Sequence, residues 1–84
     1  MLSGDVEKKT DREALSGALA LARQTAHFPA TKLWLDFDTE ADVLYISLRR
    51  PQKATETVEA GNGILLRYRN KDLVGITVLD ASKR

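Results

Sequence analysis

Four carboxylates at every second position, Asp36, Asp38, Glu40 and Asp42, form the group in this 84-residue chain best placed to hold a cation. A calcium loop uses that spacing but also needs glycine at its sixth position and glutamate at its twelfth, where this chain has Ala41 and Ser47. The pattern predicts no metal site. It predicts that Asp38 caps a turn through nearby backbone and that Asp42 accepts turn amides where the next strand begins. Hydrolysis by paired carboxylates would need two acids with separated pKa values in a cleft, which an exposed turn does not supply. His27 is the only histidine, so a dyad or triad would have to combine it with Ser16, Ser47 or Ser82. At a helix C-terminus its commoner partners are the last carbonyls, or Phe28 by packing. With one histidine and no cysteine, no transition-metal site, cofactor site or catalytic residue is expected.

Two groups point to binding. Arg49, Arg50 and Lys53 share one loop, and Arg67 and Arg69 share one face of a strand. Gathered near Tyr45 or Tyr68, they would form a surface for an anionic partner such as nucleic acid; otherwise they pair across strands with Glu56, Glu59 and Asp72. Trp34, the sole tryptophan, lies with Val43 and Tyr45 on the less apolar side of a hairpin, where aromatic residues favour a subunit contact. The alternative for Trp34 is burial under a helix.

The hairpin is residues 32–48, KLWLDFDTEADVLYISL. Leu33, Leu35 and Phe37 alternate with polar residues and Trp34, and Leu44, Ile46 and Leu48 alternate with Val43, Tyr45 and Ser47. A turn over 38–41 would set Leu35 opposite Leu44 and Leu33 opposite Ile46. One side is then wholly apolar, and the other, with Trp34, Val43 and Tyr45, is mixed but still in need of cover.

Residues 1–9 carry charges and Gly4 without a period and read as a flexible tail. Thr10 and Glu13 have the spacing of a capping box, followed by a helix over 11–26 with Leu15, Ala18, Leu19, Ala22 and Ala26 on one stripe. Pro29 ends it. After a break at Pro51, TETVE (55–59) reads as a brief exposed strand, Gly61-Asn62-Gly63 as a tight reversal, and residues 64–69 and 73–79 as two further strands. Gly75 inside the last marks a bulge or a close approach to the backbone. The expected fold is α+β: one domain over 10–84, with the N-terminal helix packed on a five-stranded antiparallel β-meander over 32–79.

Composition narrows the partners. Thirteen basic and twelve acidic residues are interleaved for a net charge of +1, so the chain as a whole exerts no strong pull on nucleic acid or membrane. No stretch is apolar enough to cross a bilayer, no signal-peptide pattern opens the chain, and cysteine is absent, all in keeping with the cytoplasm. A chain this short buries only roughly 60% of its unfolded surface and commonly needs a disulfide, a metal or a partner subunit. Of these, a homo-oligomer is the support left open.

Three segments, FDTEADVLYISL (37–48), TETVEAGNGILLRY (55–68) and LVGITVLDASKR (73–84), together resemble the bacterial and archaeal family called domain of unknown function 2283. Asp38, Ala41, Asp42, Leu44, Tyr45, Ile46, Gly63, Tyr68, Gly75, Ile76, Leu79, Ala81 and Ser82 stand where that family's pattern has them. The chain departs at Thr77, where the pattern usually carries an acid, and at its N-terminal helix, which the pattern does not cover. The resemblance implies a fold more than an activity, and through members encoded beside small RNase-like toxins it implies an antitoxin-like partner. The function expected is a non-enzymatic, self-associating interaction module, with nucleic-acid binding through the arginine face as the alternative and a small enzyme after that.

Overall fold

A computed structural model describes residues 9–84. The expected tail over 1–9 lies outside the described residues except for Lys9, which opens helix α1 (Lys9–Thr25). Thr10 is therefore inside the helix and does not cap it, because Lys9 is a good helix former and an interior threonine costs only a few tenths of a kcal/mol. At the other end the last turn tightens. The His27 and Phe28 amides donate to the carbonyls of Gln24 and Thr25, three residues back, before Pro29 removes the next donor.

Five antiparallel strands follow: β1 (Trp34–Asp38), β2 (Val43–Ser47), β3 (Glu56–Gly61), β4 (Ile64–Arg69) and β5 (Asp72–Leu79), closed by a 3-10 turn (Ala81–Lys83). The α+β class with one helix and a five-stranded antiparallel sheet is as expected. The order differs from a strict meander, for it runs β1-β2-β5-β4-β3. Polarity explains the difference. LVGITVL is the most apolar strand and takes the centre, whereas ETVEAG, exposed at every residue, takes an edge.

The β1–β2 register is also one pair displaced, with Leu35 opposite Ile46 and Phe37 opposite Leu44, because the loop is 39–42. An even shift keeps the same side chains together. The Asn62-Gly63 turn has positive φ at both residues, as a two-residue hairpin requires.

The sheet's two sides fare differently. On one, Leu35, Ile46, Ile76, Leu66 and Val58 form a row across all five strands, and Phe37, Leu44, Val78 and Ile64 form a second. Among the described residues no element is packed over them. The helix expected on one face of the sheet makes no extended contact with any strand, and Leu15, Leu19 and Leu21 of α1 are 47%, 63% and 49% exposed. On the other side the chain shelters itself. The link 48–55 carries the chain past β5 and β4 to the far edge, and Gln52 lies over Gly75, where an added Cβ would come within 2.5 Å of its amide. The Gln52 amide donates to Ser47 Oγ at 2.7 Å. Val43 and Thr77 are buried on that side, each 7% exposed, and Val74 is fully enclosed. Thr77, flanked by Tyr45 and Leu65, occupies a place where a carboxylate would be costly to desolvate. Gly75 is thus both a close approach and, through the register shift opposite Arg67 and Tyr68, part of a bulge.

This contact should appear in a double-mutant cycle. Gly75→Ala in the Gln52→Ala background should gain about 0.5–1 kcal/mol in urea denaturation, as a relieved strand glycine does, whereas with Gln52 present about 1 kcal/mol of that is lost. Additive effects would show that Gln52 does not rest on Gly75.

Candidate functional site

The acidic group is structural where the structure shows its partners. Asp38 Oδ1 accepts the Glu40 and Ala41 amides at 3.0 Å each, the expected cap. Asp42 departs from expectation. Held at φ 57°, it turns away from the hairpin and clamps the C-terminal turn. Its carbonyl accepts the Ala81 amide at 3.0 Å, Oδ1 accepts the Ser82 amide at 3.0 Å and Oδ2 accepts the Ser82 hydroxyl at 2.8 Å. Among the described residues no three metal-ligating side chains converge.

Two of the clefts among the described residues bear on the site. One, of about 340 Å3, is lined by Asn62, Gly63, Asp80, Lys83 and Arg84, and the Arg84 guanidinium is already engaged with the Leu79 carbonyl at 2.8 and 3.0 Å. The other, of about 220 Å3, gathers Arg49, Arg50, Lys53 and Arg69 around Pro51 and Gln52. Four of the five expected basic residues thus meet. Arg67 stands behind them on the row that runs Trp34, Ser47, Gly75, Arg67, Thr57, with a buried Nε that has no partner. His27 lines neither cleft.

The residues expected at a subunit contact sit on the self-sheltered side. Val43 is buried, Trp34 is half-buried and Tyr45 is 42% exposed. The apolar surface left open is the opposite one, where Phe37, Leu35 and Val58 are 51%, 43% and 40% exposed. Gln52 and the reach of Asp42 to Ser82 went unread from sequence, although Gly75 in mid-strand signalled the first.

The architecture defines a small α+β domain whose antiparallel sheet presents one uncovered aliphatic face and one loop-borne basic cleft. The chain belongs to the family described as protein of unknown function (DUF2283), whose model matches residues 34–82, from the first residue of β1 to the serine that Asp42 holds. Comparison with curated proteins and with solved structures found no match.

The clamp ties the start of β2 to the C-terminal turn. Asp42→Ala, which loses both side-chain bonds and leaves alanine in a left-handed conformation, should lower stability by about 1–3 kcal/mol. Ser82→Ala, which keeps the amide bond, should lose about 1 kcal/mol or less. Equal losses in chemical denaturation would contradict this division.

Proposed function

We propose that the protein is a non-enzymatic interaction module that self-associates by burying its aliphatic sheet face against a second copy. The observation that carries this reading is the pair of uncovered apolar rows centred on Ile76 and Val78. On those rows Phe37, Leu35 and Val58 are 51%, 43% and 40% exposed, an apolar surface of the kind a subunit contact buries.

Leu15 and Leu19, on one stripe of α1, supply the complementary surface. At about 25 Å its seventeen residues match the roughly 20 Å width of five strands, so the helix of one copy suits the sheet of the other. A toxin-like protein partner of the kind the family resemblance implies is the competing occupant of the face. Residence in the cytoplasm belongs to the same reading, supported by the absence of cysteine; among the described residues no helix is long and apolar enough to cross a membrane.

The test is the mass in solution by light scattering at micromolar concentration. The wild type should run as a dimer or larger. Phe37→Glu and Leu19→Glu, both at exposed positions, should each weaken association by about thirtyfold or more, while Tyr45→Glu on the opposite side leaves it intact. A wild-type protein of single-chain mass would overturn self-association.

A further inference from the structure

We propose that the cleft formed by residues 49–53 and Arg69 is a binding site for a phosphate group. A chain of net charge +1 concentrates four cations here, Arg49, Arg50, Lys53 and Arg69. Only Arg49 has an acidic partner among the described residues, Asp72 at 3.5 Å, with both side chains at least half exposed, so the pair is weak and easily exchanged. Arg50 and Lys53 have none. Arg69 gives Nη1 to the Lys53 carbonyl at 3.1 Å, a neutral acceptor that fixes the guanidinium beside the loop and leaves its charge and other donors unspent.

The loop is held in shape by bonds that do not use the charged heads of Arg50 and Lys53. The Leu48 amide donates to the Val74 carbonyl, Gln52 to Ser47 Oγ, the Thr55 amide to the Tyr68 carbonyl, and the Asn70 amide to Thr55 Oγ1. A site so pinned needs little ordering when an anion arrives. The orphaned Nε of Arg67 adds further positive potential behind it. The nearest acids are Asp72, already paired with Arg49, and Glu56, opposite Tyr68 at the start of β3, while Asp38 and Glu40 sit in the turn at the far end of β2, roughly 15 Å away along the strand.

Size fixes the class of ligand. At about 220 Å3 the cleft is smaller than the roughly 300–1,000 Å3 of sites that enclose whole small molecules, and it suits one phosphate held by the paired donors of arginine. That phosphate can come from the backbone of a single-stranded nucleic acid or from a free phosphate or phosphate monoester.

The experiment titrates the full chain at low salt with inorganic phosphate, adenosine monophosphate and a short uridine oligonucleotide, followed by amide chemical shifts. Saturable binding of one or more probes is expected, with shifts centred on residues 49–53 and 69. Arg50→Gln and Lys53→Gln should each weaken it by about tenfold, and Lys83→Gln, in the other cleft, should leave it unchanged. Tighter binding of the oligonucleotide, falling steeply with salt, assigns the phosphate to nucleic acid, and equal affinity for all probes assigns it to the free group. No saturable binding of any probe, or binding that both glutamine variants leave unaltered, overturns the site.

Discussion

A sheet that is apolar on both sides, in a chain with loops enough to shelter one, is the constraint behind the other features. The full burial of Val74 and the near burial of Val43 and Thr77 are nearly all the interior the fold possesses. Backbone ladders fix the strands, but ladder bonds exchanged for water contribute modestly to net stability, and apolar burial is what makes a small domain persist. Here much of that burial is withheld from the single chain.

The side that is sheltered shows what the chain spends its irregular segments on. Residues 48–55 must run from β2 to the outer edge, and in crossing they lay Gln52 on Gly75. The C-terminal turn, tied to Asp42 across forty residues, closes the same domain at its other end. These ties draw on both ends of β2, so the strand joins the structural clamp at Asp42 to the basic loop that follows Ser47. Rigidity and charge are thereby combined in one segment, while the opposite sheet side is left smooth and aliphatic.

Much of this was legible in the sequence. Alternation placed every strand, and most side chains on each side, because a period of two survives errors of register; Leu35 met Ile46 in place of Leu44 without changing sides, whereas the bulge at the start of β5 moves Leu73 from the side of Thr77 to that of Tyr68 and Ile76. Polarity would also have given the strand order, since TETVE reads as an edge and LVGITVL as a centre, yet chain succession suggested a meander. Two things were hidden for physical reasons. The amphipathic stripe of α1 specifies that something apolar covers it, but a stripe does not say whether that surface belongs to the same chain. The basic cleft was visible only as a list of cations in two segments, since whether Arg69 would reach Lys53, or pair with an acid, depends on a crossover that local pattern does not encode.

The most direct measurement is hydroxyl-radical footprinting of two aromatic residues on opposite sides of the sheet. Phe37 and Tyr45 are similarly exposed in the single chain, at 51% and 42%. The account predicts that at working concentration Phe37 is shielded while Tyr45 stays reactive, and that dilution restores Phe37. Undiminished labelling of Phe37 at every concentration would contradict it.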